Sequence, residues 1–544
     1  MNISRTIKEI SEKRIMILIF ILGIVLRIAK SGAESLDFDE IYSVKLASMD
    51  LGGIIHQTST DFHPPLYYFF LHLWSSLLGN SEFSVRLLSV LFGIMGIWGM
   101  YQLSKLLFNV TTALVASFFF SISHLNIEFS QEARMYSLLV LLTIYSMYYL
   151  VKLAKEQSLT NFLFFIIFNV LLLYTHVYSF FIISAEYFYI LSLKFWKKEE
   201  FYRSSTWFLY SAIVISLLFA PWIFVFYKQF LLAQKILWIP EASIWGFPES
   251  LVEYSGSFLL SLVMVPLFLL SFFTIKVAAN ERKSKLLQLF GSLEVILSFS
   301  KVKEVYFLLI WLLFPVILPF IISQFLSPIF LVKYTIEASP AFILLAAYGF
   351  DKIKTSGIKF SLLLLIGILS FITIRNDWTV STKERWKEAI AYLDSTARST
   401  DLIIFNAGVC SYLYDYYSER KDITLLSFEP SLSQLNRDSL KVLLYPYISK
   451  YKRVWLVVSH TRDYKGEISK TMKELSDSAS AKFYFTKNRK YFFKANFDNN
   501  SFDLYLLKSY VSPDISIYFY EKRDDSIFAL KKEKNEKNPK LNWK

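Results

Sequence analysis

Val305-Tyr306-Phe307-Leu308-Leu309-Ile310-Trp311-Leu312-Leu313-Phe314-Pro315-Val316-Ile317-Leu318-Pro319-Phe320-Ile321-Ile322 runs for eighteen residues without a charge. A helix rises about 1.5 Å per residue and the hydrocarbon core of a bilayer is about 30 Å thick, so this stretch with its flanks, 304–323, reads as a membrane span. Working outward, comparable stretches occur at 14–30, 86–107, 110–126, 132–152, 160–175, 177–195, 206–226, 255–276, 330–349 and 357–374. The stretch 64–79 is shorter and follows His63, so it is either a span or a helix lying in the interface.

Composition agrees. Of 544 residues, 54% are apolar and only 19% charged, against about 25% charged in ordinary soluble proteins. A soluble chain with 18% aromatics would expose large sticky patches. Disorder, a collagen repeat and a disulfide framework are excluded by the same figures, since Cys410 stands alone and reads as a small buried hydrophobe.

The net charge of +13 first suggests an anionic polymer as partner, so the positions of the charges matter. With 64–79 not crossing and the N-terminus cytoplasmic, twenty basic residues of 1–374 fall on the cytoplasmic side and eight on the other. Counting 64–79 as a span would collapse that asymmetry. The expectation is eleven spans, a cytoplasmic N-terminus and an extracytoplasmic C-terminal domain. The first span lacks a small-residue cleavage site after it and reads as a retained anchor. No basic helix interleaved with base-stacking aromatics occurs, which argues against nucleic acid.

From about residue 376 the apolar runs shorten. Trp386–Arg398 reads as an amphipathic helix, Asp401–Phe405 and Val454–Val458 as buried strands, and Tyr412–Tyr417 as a short aromatic helix. Ile468–Ser480 reads as a second surface helix, with further strands at Lys482–Thr486, Phe502–Leu507 and Ile515–Tyr520. The fold class is therefore a polytopic α-helical membrane protein with a C-terminal soluble α/β domain. The expected division is 1–375 membrane module, with a first extracytoplasmic loop at 31–64, then 376–530 α/β domain and 531–544 charged disordered tail. No glycine-rich phosphate loop follows either strand, so a nucleotide site is unsupported.

Four outward loops carry chemistry. The first reads Ser35-Leu36-Asp37-Phe38-Asp39-Glu40-Ile41-Tyr42 and continues to Asp61-Phe62-His63-Pro64-Pro65-Leu66-Tyr67-Tyr68; its carboxylates suit a general base or a divalent cation, and equally a solvated loop. The second, Glu128-Phe129-Ser130-Gln131-Glu132-Ala133-Arg134-Met135-Tyr136, sets an ionisable Arg134 at the edge of a span, which is costly unless paired or functional. There Glu132 also suits a helix N-terminus. The third, Tyr174-Thr175-His176-Val177-Tyr178, has a histidine at the apex of a helical hairpin. The fourth is Lys333-Tyr334, followed by Pro340 inside the next span, where a snorkelling lysine is the ordinary explanation. Trp238-Ile239-Pro240 and Trp245 read as an aromatic belt.

Under the charge-derived topology Asp39, Glu40, Asp61, His63, Glu132, Arg134, His176 and Lys333 all emerge on one face, the extracytoplasmic one. Cations beside lipid suit a substrate with a membrane-embedded tail and an anionic head. They hold a leaving phosphate while a carboxylate deprotonates an incoming hydroxyl.

The order Asp39-Glu40-x-Tyr42, His63-Pro64-Pro65-Leu66-Tyr67, Glu82-x-x-x-Arg86-Leu87, Glu132-Ala133-Arg134-Met135-Tyr136, Thr175-His176 and Lys333-Tyr334 resembles the GT-C superfamily of polyprenyl-phosphate-sugar-dependent glycosyltransferases. The family-39-like branch, which includes protein O-mannosyltransferases and lipid A aminoarabinose transferases, is the most similar. The resemblance runs from about residue 14 to 420. It implies an inverting transferase that takes its sugar from a polyprenyl phosphate and gives it to a hydroxyl of a protein, lipid or glycan.

It further implies Asp39 as base, with Glu40 beside it, and these two as ligands of a possible Mg or Mn ion. By the same resemblance His63, Tyr67, Asp61, Glu132, Arg134, His176, Lys333 and Tyr334 bind lipid phosphate or sugar. Lys333 stands where relatives carry an arginine, which keeps the charge and loses the bidentate fork. A transporter or flippase for an anionic lipid-linked substrate is the competing class, although no inverted repeat is evident and the charges sit in loops rather than at mid-bilayer depth. A third reading makes the membrane part an anchor for a binding domain.

Overall fold

The computed structural model describes residues 3–233, 239, 241–277, 293–296, 301–379, 383–406, 408–427, 437–448, 450–458, 479–485 and 515–521. The expected strand 502–507, most of the expected helix 468–480, the tail 531–544 and residues Trp238 and Pro240 lie outside these. The chain divides into two compact units, Met1–Ala33 with Leu46–Trp378, and Glu34–Lys45 with Thr379–Lys544.

The membrane unit is helical. In chain order its elements are α1 (Ile3–Ile28), α2 (Phe38–Ala47, of which all but the last two residues fold with the other unit), α3 (Leu51–Ser59), α4 (Leu66–Leu78), α5 (Glu82–Leu107), α6 (Val110–Ser121) and α7 (His124–Glu128). There follow α8 (Tyr136–Lys155), α9 (Leu159–Leu173), α10 (Ser179–Trp196), α11 (Lys198–Ala233), α12 (Gly246–Ser255) and α13 (Phe258–Leu270). A short antiparallel pair, β1 (Thr274–Val277) and β2 (Leu293–Ile296), precedes α14 (Val302–Phe325), α15 (Ser339–Asp351) and α16 (Ser356–Thr379).

Among the described residues, α5, α8, α11, α14 and α16 are long and apolar enough to cross a bilayer. Two bent pairs, α6 with His124–Gln131 (60°) and α12 with α13 (96°), raise the number to seven. Other stretches of the eleven expected spans fold as shorter helices, such as the 15 residues of α9 and 13 of α15. At 13 residues, α4 is about 20 Å long, shorter than the hydrocarbon core is thick.

Local chemistry sets the helix ends. Ser81, Asn109, Ser158 and Ser257 each accept a backbone N–H of the first turn, satisfying a donor that would otherwise be orphaned in apolar surroundings. Gly256 ends α12 with φ +99°, a left-handed conformation, and its own N–H returns to Val252 O at 2.9 Å. Pro340 falls in the first turn of α15 rather than in its interior, where its missing N–H costs nothing.

Helix α15 is apolar all round and every residue from Ser339 to Phe350 is buried, which makes it a central element. Polar side chains tie the bundle together. Fully buried Arg27 donates to the carbonyls of Ser121 (2.9 Å) and Phe120 (3.1 Å), the electronegative end of α6. Ser146 on α8 donates to Glu186 on α10 and accepts from Asn169 of α9 at 3.1 Å, so one network spans three helices.

The second unit contains α17 (Trp386–Thr396), β3 (Leu402–Phe405), α18 (Ser411–Tyr417), β4 (Thr424–Ser427), α19 (Arg437–Ile448), β5 (Arg453–Val458), β6 (Ala479–Phe485) and β7 (Ile515–Glu521). The sheet order is β4-β3-β5-β7-β6, with β3 parallel to β4 and β5, and β7 antiparallel to β5 and β6. Leu402, Ile404, Val454, Leu456 and Val458 bury against Leu440 and Leu444 of α19. The sequence reading did not mark β4 or α19.

Candidate functional site

In the membrane unit, three separate turns converge. The turn before α4 carries His63, the hairpin between α9 and α10 carries His176, and the turn before α8 carries Arg134. The imidazoles of His63 and His176 stack with centroids 5.3 Å apart and planes at 28°. The Leu66 N–H donates to Tyr174 O at 3.0 Å, which fixes one histidine turn against the other. Around His176 stand the rings of Tyr178 (5.6 Å), Tyr334 (5.7 Å) and Tyr136 (6.0 Å).

Burial holds His63 well below the usual imidazole range, and the neighbouring Arg134, His176 and Lys333 push the same way. His176 is pushed down to about 3, first by burial, then by Arg134 and Lys333. Both rings are therefore neutral near pH 7, in a pocket beside the positive charges of Arg134 and Lys333. Such a pocket stabilises an anion.

The other residues expected at the site fall into supporting and neighbouring places. Tyr67 is fully buried and its hydroxyl lies 3.0 Å from Ser89 Oγ, which in turn donates to the Arg134 carbonyl at 3.1 Å. Tyr67 thus props the Arg134 backbone. Tyr68 meets the guanidinium itself, with Oη 3.5 Å from Arg134 Nη1. Lys333 lies beside the Tyr334 ring, Nζ 5.4 Å from its centroid, in the short 3-10 helix Val332–Ala338. Asp61 sits two residues before His63 in its turn, and Glu132 two residues before Arg134, at the end of the 3-10 helix Phe129–Gln131. Arg86 of the Glu82–Arg86 motif is buried and donates to Ser31 O at 2.9 Å, closing the turn after α1.

Asp39 and Glu40 belong to the second unit. There Asp37 Oδ1 accepts the Glu40 N–H (2.9 Å) while Glu40 Oε2 accepts the Asp37 N–H (3.1 Å), a reciprocal cap on α2. Lys383 places Nζ 2.7 Å from Glu40 Oε2 and 3.8 Å from Asp37 Oδ2. Further ties are Leu36 N–H to Tyr417 Oη (2.7 Å), Lys387 N–H to Ser35 Oγ (3.1 Å), and Lys45 Nζ over the Tyr412 ring at 3.1 Å. Burial raises the Asp37 carboxyl, the Glu40 charge adds to this, and Lys383 opposes it.

Glu40 is fully buried and engaged by the cap and by Lys383, whereas Asp39 is half-buried on the first turn of α2. Glu40 Oε2 serves both an ammonium and an N–H. Among the described residues, no three of His, Cys, Asp and Glu come together to hold a metal. The sequence reading missed Tyr68, Tyr178 and Lys383. Tyr68 and Tyr178 had a signal in their adjacency to Tyr67 and His176; Lys383 had none.

Residues 62–224 match the family described as dolichyl-phosphate-mannose-protein mannosyltransferase. The match opens one residue before His63 and takes in Arg134 and His176. No curated protein sequence matches the chain. Among solved structures, ArnT from Cupriavidus metallidurans superposes with TM-score 0.58 at 11% identity, over 92% of this chain and 97% of that one, both in the apo state and bound to undecaprenyl phosphate. The Archaeoglobus fulgidus oligosaccharyltransferase, in complex with Zn and sulfate, superposes with TM-score 0.51 at 10% identity, over 87% of this chain and 72% of that one. The chain has the GT-C fold. Its helical bundle is that of the polytopic GT-C membrane enzymes, and the histidine and arginine turns lie within the segment matched to the mannosyltransferase family.

Proposed function

We propose that this chain is a membrane glycosyltransferase that moves a sugar from a polyprenyl phosphate to a hydroxyl of an extracytoplasmic protein, lipid or glycan. The observation that carries the reading is the convergence of His63 and His176 with Arg134 and Lys333 in one pocket. The GT-C fold and the family matched by residues 62–224 support a lipid-phosphate donor.

The resemblance makes Asp39 the base that takes the proton of the acceptor hydroxyl, and the acceptor oxygen bonds to the anomeric carbon. The bond from that carbon to the phosphate oxygen breaks with inversion, and its electron pair stays on the lipid phosphate. Arg134 meets that growing charge with a fixed planar fork and Lys333 with a point charge. Glu40, with Lys383 and Asp37, holds the helix that carries the base. The twenty-to-eight asymmetry of basic residues supports a cytoplasmic N-terminus and an extracytoplasmic second unit.

The test is transfer from a radiolabelled polyprenyl-phosphate sugar in membranes containing the full chain. Label should move covalently to an acceptor, and Asp39→Asn should abolish the transfer. Label crossing the membrane still attached to its lipid would overturn the reading in favour of transport. Transfer by Asp39→Asn at the wild-type rate would overturn the base assignment.

A further inference from the structure

The two stacked histidines are held differently. His176 Nδ1 accepts the backbone N–H of Tyr178 at 3.2 Å. A ring nitrogen that accepts carries no proton, so neutral His176 carries its hydrogen on Nε2. Nε2 is buried and has no hydrogen-bond partner among the described residues. The turn that mounts this ring is itself pinned, with Thr175 Oγ1 donating to Leu171 O and Ser179 Oγ donating to Leu172 O, both at 2.7 Å. Adding a proton at Nδ1 would set two donors against each other and cost the Tyr178 bond. His176 is locked as a neutral Nε2 donor.

His63 has no such lock. Its Nδ1 is buried without a hydrogen-bond partner among the described residues. The titratable and charged groups around the stack include Arg134, Lys333, Tyr136, Tyr178 and Tyr334, with Asp61 and Glu132 in the same turns as His63 and Arg134 and buried Glu337 acting on Tyr178. Burial keeps His63 neutral, and Arg134, His176 and Lys333 push the same way. An incoming phosphate sets a negative charge beside the ring, which favours its protonated form.

We propose that the imidazoles divide the work on a phosphate head group: His176 donates a hydrogen bond from Nε2 as a neutral ring, and His63 takes one proton from bulk water when the phosphate monoester occupies the pocket. This deepens the proposed function and rests on its lipid-phosphate donor. A sugar-linked phosphodiester carries one negative charge, whereas the monoester left behind carries about 1.5 to 2 at pH 7, by analogy with other phosphate monoesters. A site that gains a positive charge in step with that change binds the developing product better than the donor, which is where binding contributes to rate. A lysine at position 63 would be charged for both.

The experiment is calorimetric titration of the full chain in lipid nanodiscs with farnesyl phosphate, at pH 7.5 in two buffers of different ionisation enthalpy. The methyl diester of farnesyl phosphate serves as the singly charged control. Wild type should take up nearly one proton more per monophosphate bound than His63→Lys, and the ligand's own ionisation cancels in that difference. Monophosphate affinity should fall up to tenfold per pH unit above neutrality in wild type and stay flatter in His63→Lys. His176→Gln should weaken binding at every pH and leave the proton uptake intact.

Monophosphate binding to wild type without proton uptake would overturn this inference and leave the transferase reading standing. So would equal uptake in wild type and His63→Lys. Should His63→Lys not fold, the wild-type difference between monoester and diester decides the same question. Failure of wild type to bind the monophosphate at any pH would overturn the transferase reading itself.

Discussion

Lys383 Nζ lies 2.7 Å from Oε2 of fully buried Glu40, across a sequence separation of 343 residues. Removing the ammonium strands a buried carboxylate, whereas removing both charges does not. Lys383→Met should therefore destabilise the second unit by about 3 kcal/mol, and Glu40→Gln combined with Lys383→Met by distinctly less. Thermal unfolding of the full chain followed by proteolysis of residues 34–45 reads both. Equal loss in the single and double variants would show that the pair does not hold the segment.

Asp39 sits one residue from that pair with its carboxylate half-buried. A positioned general base contributes about 10² to 10⁴ in rate. Asp39→Asn should lower transfer by that factor with little change in donor binding, because the substitution preserves shape. Asp39→Glu should recover part of the rate. Donor affinity measured beside transfer rate separates this from a folding defect.

The second unit supplies more than an appended domain. Ser35, Leu36, Glu40 and Lys45 are tied to Lys387, Tyr417, Lys383 and Tyr412. Truncation after Arg375 should accordingly abolish transfer even if the membrane helices still insert. Complete activity of the truncated chain would show that the second unit is dispensable and that Asp39 needs none of these contacts.

Much of the fold was legible because its signals are local. The uncharged run 305–322 became α14, and the strands at 401–405, 454–458 and 515–520 appear within a residue or two of their expected places. Pro340 stands in the first turn of α15, a place that a hydropathy window does not distinguish from a span's interior. At the site, residues of the right chemistry could be listed, and His63, Arg134, His176 and Lys333 do converge. What the chain did not disclose were pairings across long separations. Nothing in Lys383 announces Glu40, and nothing in Tyr178 announces that its backbone N–H fixes the tautomer of His176.

Close packing of α13 on α15 offers a further check. A Cβ built on Gly349 would stand 1.8 Å from the backbone oxygen of Leu267, and backbone cannot step aside as a side chain does. Gly349→Ala should destabilise the bundle by about 1–3 kcal/mol, the range for overpacked cores. Gly357→Ala, where no atom lies within 4 Å, is the matched control and should be neutral. Melting temperatures in detergent compare the two.

The histidine pocket also gives the protein without bound phosphate a pH dependence whose sign follows from His176. Its folded value near 3 lies below the unfolded value of about 6.5, so below pH 6.5 the unfolded chain binds a proton that the folded chain refuses. Stability contributed by the neutral ring is complete above pH 6.5 and drains away as pH falls toward 3. Between pH 6.5 and 5 the loss amounts to about 2 kcal/mol from this ring alone. His63 adds a loss of the same sign, since its value is also lowered. His176→Gln cannot titrate, so its melting temperature should fall less than that of wild type over the same interval. Farnesyl phosphate should flatten the wild-type curve, because it offers His63 an anion. Identical pH slopes for wild type and His176→Gln would show that the ring is charged or solvated in the folded protein, and the tautomer lock by Tyr178 would fail with it.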